Sequence, residues 1–433
     1  KAFSARGKRP KIMAAVKKGK AETFGNQIPF TEPYWYQGFH SPYYTENHKA
    51  FRAKVRKFVE EEIKPNVDKW IVTGYPPELH ERSYELGLQG IIYPREFGGT
   101  KPDDFDSFYE LIFVDEMSRV GGGGVLGQAA INSMALPPII HFGSDYLKDL
   151  VLRDVITGKK FCSLAISEPY AGSDVAGLRT TAKREGDFYI VNGQKKWITG
   201  GMMADFFTTA VRTGDNGMGG ISLLLLHKDM PGLSVRKMET QFDNSHSTTM
   251  VTLEDVKVPV KNLIGEENMG FMYIVHNFNH ERFVISAGTC RSARLCYEEA
   301  IKFALTRKTF GKPLVSHQVI RYKLAEMARQ VESLHDNLER VAYQFSQGVP
   351  DFALGGQCAL LKVQASKTFE FCAREASQIF GGSSIVKEGR GKIVERLYRD
   401  VRASAIPGGS EEILLDFAMR QAVAKAKKLK SKM

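Results

Sequence analysis

Tryptophan, cysteine and long apolar runs are all scarce in this chain. No uninterrupted apolar stretch reaches the roughly 20 residues that a membrane helix needs, so a spanning segment is not expected. Five cysteines in 433 residues form neither paired metal-ligand spacings nor a disulfide framework. Cys162, Cys290, Cys296, Cys358 and Cys372 lie mostly within apolar stretches. They read as buried free thiols of a reducing interior or an organelle matrix, and no metal is expected. Acidic residues are missing from one region in particular. Lys1 to Lys20 carries eight Lys and Arg and no acid, and a second basic run closes the chain from Lys425 to Lys432. These two ends hold much of the net charge of +11. Charge gathered in tails favours solvated ends over a nucleic-acid surface, and no nucleic-acid partner is expected.

What is present is globular. Hydrophobic residues make up 43% and charged residues 25%, and the length suffices for two or three cores. Residues 1–43 read as a basic arm that turns rich in Pro, Tyr and Gly. From Thr45 the pattern becomes helical: Phe51, Val55, Phe58 and Val59 recur at the spacing of one helix face. Further helices are predicted near 78–87, 104–119, 127–141 and 145–157, with Gly121–Gly124 as a flexible joint. At Phe161 the period changes. Short β-rich runs, among them Asp187–Val191, Phe206–Val211 and Ile221–Leu226, alternate with Gly, Asn and Asp turns as far as Pro259. Beyond Gly270 long Pro-free stretches predict helices over 270–308, 313–346 and 352–380, then a last one over 410–426. The fold class is therefore α+β. It comprises an N-terminal helical domain (44–160), a middle β domain (161–269) and a C-terminal helical domain with a basic tail (270–433).

Four segments stand out. Ser167-Glu168-Pro169-Tyr170-Ala171-Gly172-Ser173-Asp174 offers small residues and hydroxyls through which backbone N–H groups can approach an anionic, planar ligand. Val191-Asn192-Gly193-Gln194-Lys195-Lys196-Trp197-Ile198-Thr199-Gly200 sets one of three tryptophans beside a hydroxyl. Thr306-Arg307-Lys308-Thr309-Phe310-Gly311-Lys312, followed by His317-Gln318, is the third, and Gln378-Ile379-Phe380-Gly381-Gly382 the fourth. Each alone has an ordinary reading as a turn or a core element. In order and spacing together, they resemble the acyl-CoA dehydrogenase family over roughly residues 44–425. The resemblance implies a barrel-like middle domain, a C-terminal four-helix bundle and one FAD per subunit. Leu164, Ile166, Ser167 and Ser173 would line the flavin, with Trp197 and Thr199 against its ring. Arg307 would pair with the pyrophosphate, and Arg307, His317, Gln318, Gln378, Gly381 and Gly382 would reach the FAD of a neighbouring subunit; Phe310 in the same segment also matches a cofactor contact. A homotetramer or homodimer follows.

Many members of this family carry their catalytic Glu just before the last helix. The matching position here is Gly408, in Ile406-Pro407-Gly408-Gly409-Ser410, and glycine cannot take a proton. A subset that includes long-chain and isovaleryl members supplies the Glu from the first long helix of the C-terminal domain. Phe278-Asn279-His280-Glu281-Arg282-Phe283 matches that place. With Phe278, Val284 and Ile285 around it, Glu281 is expected on a largely apolar face, where desolvation raises a carboxylate's pKa. Glu281 is thus the expected base, and an interhelical salt bridge is its ordinary alternative. Gly408 keeps the role of donating its backbone N–H to the thioester carbonyl, beside a ribityl hydroxyl of FAD. Ser410 and Glu412 match FAD-contact positions, the latter often Gln in the family. Ser173, Asn279, Arg282 and Arg420 match the coenzyme A contacts.

The expected activity is FAD-dependent α,β-dehydrogenation of a fatty acyl-CoA to the trans-2-enoyl-CoA in fatty acid β-oxidation. Electrons would pass to an electron-transferring flavoprotein or to oxygen. An acyl-CoA oxidase-like enzyme and a DNA-associated flavoprotein are the alternatives on the same fold. Ser431-Lys432-Met433 is a variant of the Ser-Lys-Leu address, so the peroxisome is the expected location and the mitochondrial matrix the alternative. A start without Met or an apolar signal leaves upstream processing open.

Overall fold

The computed structural model describes residues 22–122, 133–242 and 248–430. The basic arm's first residues, the 127–132 part of one expected helix and the Ser431–Met433 address lie outside them. Residues 22–42 form a unit of their own around a 3-10 turn at Tyr34–Tyr36, with Phe24 edge-on to Tyr36 at 5.4 Å and the Phe24 N–H donating to the Tyr36 carbonyl.

The second unit starts at Tyr43. Its N-terminal helices are α1 (Glu46–Phe58), α2 (Val67–Thr73), α3 (Glu78–Glu85), α4 (Ser107–Met117), α5 (Pro137–Phe142) and α6 (Asp145–Ile156). Their starts follow from local chemistry. The Thr45 hydroxyl accepts from the His48 N–H while the His48 ring accepts from the Thr45 N–H, and Asp106 accepts from the Phe108 N–H. Each cap satisfies an amide that the first helical turn leaves without a partner.

The middle domain is one eight-stranded mixed sheet built from β1 (Cys162–Ala165), β2 (Thr181–Glu185), β3 (Phe188–Thr199), β4 (Phe206–Arg212), β5 (Ile221–His227), β6 (Leu233–Lys237), β7 (Thr248–Pro259) and β8 (Leu263–Ile264). Its path runs β6-β7-β3-β2-β4-β5-β8, with β1 parallel to β4. Among the described residues no ladder joins β6 to β8, so the barrel-like domain is a sheet with two ends. Strands β4 and β5 are buried on both faces, which explains their nearly continuous apolar sequence. Phe206, Ala210, Leu223 and Leu225 pack with α5 and α6, whereas Phe207, Val211, Leu224 and Leu226 pack with β3 and β7.

The C-terminal part holds α7 (Gly270–His276), α8 (Phe278–Thr306), a two-residue hairpin of β9 (Lys308–Thr309) and β10 (Lys312–Pro313), α9 (Gln318–Ser346), α10 (Gly355–Phe380), α11 (Lys392–Ala405) and α12 (Glu411–Lys430). Helices α8 to α11 share one core, and α12 packs on α10 through Leu414 and Ala418. Two expectations change here. The helix read over 270–308 is broken at Asn277, so Glu281 lies in the first turn of α8 rather than inside a long helix. A further helix, α11, was not anticipated, although Val394, Leu397, Val401 and Ala405 mark its buried face. All five cysteines are buried free thiols. Among the described residues no helix is long and apolar enough to cross a membrane, and no His, Cys, Asp and Glu cluster could hold a metal.

Candidate active site

The Ser167 and Trp197 segments, 30 residues apart, are stitched together by hydrogen bonds. The Lys196 N–H donates to the Ser167 carbonyl at 2.9 Å, and the Ser163 hydroxyl donates to the Thr199 carbonyl at 2.8 Å. Below them, the buried Lys195 ammonium donates to Glu168 Oε1 (2.7 Å) and to the Ile166 carbonyl (3.0 Å). Glu168 also accepts the N–H groups of Arg179 and Thr180, which folds the Ser167–Asp174 loop back on itself. Burial lowers the Lys195 pKa to about 8, with Glu168 opposing the shift.

Trp197 is the unpaired residue of a β-bulge: Lys196 faces Met250 and Ile198 faces Thr249, with nothing opposite the Trp. Its φ is +63°, an outlier for a bulky side chain, and its ring is 49% exposed. A bulge re-aims a side chain out of the strand's alternation, and strain of this kind concentrates at functional sites. Leu164 and Ser167 are half-buried, Ile166 is buried and Ser173 is exposed. No heavy atom lies within 4 Å of where a Cβ on Gly172 would stand. The segment thus presents an exposed ring, open backbone and hydroxyls that have no hydrogen-bond partner among the described residues, a surface that fits a planar anionic cofactor.

A second corner lies at the far end of α8. Arg307 leaves the helix there, exposed, and its guanidinium has no ion pair among the described residues. Phe310, at the hairpin tip, has φ +49° and is 95% exposed. The His317 ring is held by the Thr309 hydroxyl at 3.0 Å. Gln378, Gly381 and Gly382 join this corner through the Phe303–Phe380 stack at 4.2 Å and the Arg390 guanidinium, which donates to the Thr306 hydroxyl at 2.6 Å. Gln318 and Gln378 are exposed.

The third group is centred on Glu281, which is 7% exposed. Among the described residues its carboxylate has one partner, Asn277 Nδ2 at 3.5 Å, and no ion pair. The interhelical salt bridge therefore does not form. Burial raises its pKa to about 7, against the smaller opposing effects of Asn277, His280 and Arg282. The adjacent His280 turns away to Glu110 (2.8 Å); burial opposes its charge, yet Glu110 holds its pKa up at about 9.

Gly408 lies in the α11–α12 loop with φ +70°, and a Cβ there would stand 2.8 Å from Ile285 Cδ1. Ile285 is one turn beyond Glu281 on the same face of α8, so the loop sits beside the carboxylate. A side chain at 408 is strained by the backbone conformation and would require the Ile285 δ-methyl to shift. The Gly408 carbonyl accepts from Arg282 Nε (3.2 Å), whereas its N–H has no hydrogen-bond acceptor among the described residues. Arg282 also donates to Asn279 Oδ1 (3.0 Å), and Asn279 donates to the Asp351 carbonyl (2.7 Å). Two of the four expected coenzyme A contacts, Asn279 and Arg282, are thus engaged within the protein. Arg420 is exposed and paired with Asp416. Ser410 and Glu412 lead into α12; the Glu412 carboxyl is held below its usual range by its own N–H and the Ser410 hydroxyl. Sequence reasoning overlooked Asn277 and Lys362, whose ammonium lies under this loop. The visible signal for Lys362 was a lone charge in the apolar run Cys358–Val363.

Family models for the acyl-CoA dehydrogenase N-terminal, middle and C-terminal domains match residues 45–159, 163–256 and 268–423. The chain belongs to the acyl-CoA dehydrogenase family. It is 41% identical over 416 residues to the acyl-CoA dehydrogenase AFT10-1 of Alternaria alternata, covering 92% of this chain and 96% of that one. Among solved structures, a probable acyl-CoA dehydrogenase from Mycobacterium abscessus superposes with a TM-score of 0.83 at 38% identity, covering 87% and 99% of the two chains. An acyl-CoA dehydrogenase from Bacillus anthracis, complexed with FAD, gives 0.83 at 27% identity, over 90% of this chain and 69% of that one. The protein is accordingly an FAD-dependent oxidoreductase acting on acyl-CoA.

Proposed function

We propose that this enzyme converts a fatty acyl-CoA to its trans-2-enoyl-CoA with Glu281 as the base, as a step of fatty acid β-oxidation. The observation that carries the reading is a buried carboxylate without an ion pair beside a loop whose Gly408 N–H lacks an acceptor, both among the described residues. Glu281 takes the α-proton. A pKa near 7 leaves the base ionised at mildly alkaline pH yet basic enough to hold a carbon-derived proton. The Gly408 N–H donates to the thioester oxygen and stabilises the negative charge that develops there. Bound FAD supplies an acceptor for the β-hydride. Leu164, Ile166, Ser167, Ser173, Trp197 and Thr199 would hold its ring, with Ser410 and Glu412 nearby.

The 26 residues from Glu281 to Arg307 run along α8 for about 39 Å, more than one flavin dinucleotide spans. The Arg307 corner, with Phe310, His317, Gln318, Gln378, Gly381 and Gly382, therefore serves the FAD of a neighbouring subunit in a dimer or tetramer.

The test is an anaerobic titration of the flavoprotein with straight, branched and cyclic acyl-CoAs, followed by flavin absorbance. Bleaching identifies the substrate class, and admitting air separates an oxidase from a dehydrogenase that needs an electron-transferring flavoprotein. A flavin that no acyl-CoA bleaches overturns the reading.

A further inference from the structure

We infer that Lys362 is a positioning residue that holds the Ala405–Gly409 loop so that the Gly408 N–H meets the substrate carbonyl. The inference rests on the dehydrogenation reading above and extends it to a residue that touches neither substrate nor cofactor.

Lys362 projects from α10, a helix that contributes none of the residues assigned to the Glu281 group. Its side chain is fully buried, and the ammonium donates to the Ala405 carbonyl and, at 3.0 Å, to the Gly409 carbonyl. Arg282 reaches the carbonyl between them, on Gly408, from α8. Two cations from two helices thus draw in three carbonyls of a five-residue turn. These contacts fix the loop on both sides of the Pro407–Gly408 peptide, at 405 and at 408–409, and among the described residues the N–H of that peptide has no acceptor. An ideal Cβ on Gly408 would also lie 3.9 Å from Lys362 Cε, so the lysine stem forms part of the floor on which the glycine rests.

Burying an ammonium is costly, and an apolar side chain would pack the same space without that penalty. A lysine here therefore points to a need for the loop's carbonyl orientation rather than for filling alone. The charged groups that face it are Glu411 on α12, Arg282 on α8 and Arg402 on α11. Burial brings the Lys362 pKa down to about 8, Glu411 works against that shift, and the two arginines add to it. The ammonium is therefore lost just above neutrality, and the hydrogen bonds to the loop weaken with it. Stability moves the other way. A lysine whose folded pKa lies below its unfolded one costs the fold most below pH 8, and the cost is relieved as pH rises toward the unfolded value. Loss of activity on the alkaline side would then not be unfolding.

The experiment uses the FAD-loaded enzyme and a substrate that bleaches the parent. Lys362→Met is expected to keep its FAD, to melt no lower than the parent and to bind acyl-CoA with an unchanged KM. Its kcat should fall about 100-fold, the scale of an ångström-level misplacement, and its alkaline limb should vanish. A 3-thia acyl-CoA, which can lose its α-proton but has no β-hydrogen, reports the same loop without turnover. Its long-wavelength band against the flavin should weaken in the variant. Glu411→Gln retains the lysine and should stay active at pH 6.5 while its alkaline limb moves to lower pH. This second variant carries the test should Lys362→Met fail to fold. Parent kcat and parent thia-analogue band in Lys362→Met, or an unmoved limb in Glu411→Gln, overturn the inference and leave the dehydrogenase reading intact. A parent enzyme that no acyl-CoA bleaches removes both.

Discussion

Replacing Glu281 by Gln should make the protein both inactive and more stable, and the size of the second effect can be worked from the site. The carboxyl titrates at about 7 in the fold against 4.5 when free, chiefly because it is buried with only Asn277 to receive it. At 1.36 kcal/mol per unit, the ionised form costs the fold on the order of 3 kcal/mol. The sign follows from proton counting: between pH 4.5 and 7 the folded state binds more protons than the unfolded one, so the parent loses stability as pH rises through that window. Gln has nearly the same shape and no charge to bury. The variant should therefore gain on the parent across the window, hold the gain above pH 7 and lose it near pH 4.5. With an unfolding entropy of about 2.1 cal/mol/K per residue over 433 residues, 3 kcal/mol amounts to roughly 3 °C. Differential scanning calorimetry of the FAD-saturated proteins at pH 5 and 8 reads this directly. Turnover with the best acyl-CoA should drop about 10²- to 10⁴-fold, the usual share of a general base. A variant no more stable than the parent at pH 8 would refute the desolvation argument, and one turning over at the parent rate would refute the base assignment.

Gly408→Ala forces a side chain into a left-handed backbone and against Ile285; a cost of about 1–3 kcal/mol in urea melts and a large fall in kcat are expected. Arg307→Ala should leave the fold's melting in the absence of FAD unchanged yet weaken FAD binding about 10- to 100-fold by fluorescence titration, the worth of one charge-assisted contact. Lys195→Met strands the Glu168 carboxylate in the interior, and the penalty of about 3–5 kcal/mol should show as early melting and loss of flavin on gel filtration.

The helix–β–helix order was legible because each domain keeps one period: a helical face at Phe51, Val55 and Phe58, and doubly buried strands at Phe206–Val211 and Ile221–Leu226. The burial of Glu281 was legible through its apolar neighbours Phe278, Val284 and Ile285. What escaped were features set by contacts distant in sequence. Asn277 stands at the junction of α7 and α8 with its side chain donating to the Ser133 carbonyl, 144 residues away, a contact that no local pattern shows. The Trp197 bulge exists only relative to Met250 and Thr249 across the sheet. Lys362 finds its acceptors 43 and 47 residues downstream, so nothing beside it in the chain names its task. Helix α11 could have been found from the spacing of Val394, Leu397 and Val401, which went unread between the helices expected over 352–380 and 410–426.

The contact between Gly408 and Ile285 also bears on how the two placements of the base could exchange over evolutionary time. A glutamate arriving at 408 would first meet a backbone that disfavours it and an isoleucine already in its space, so that single step is a loss. Shortening Ile285 alone would loosen the helix beside the working carboxylate and is also a loss. Only the pair, with Glu281 then free to drift, restores a functioning arrangement. On the proposed role of Glu281, a lineage with Ile285 packed against this glycine meets a barrier rather than a slope on the way to a base at 408.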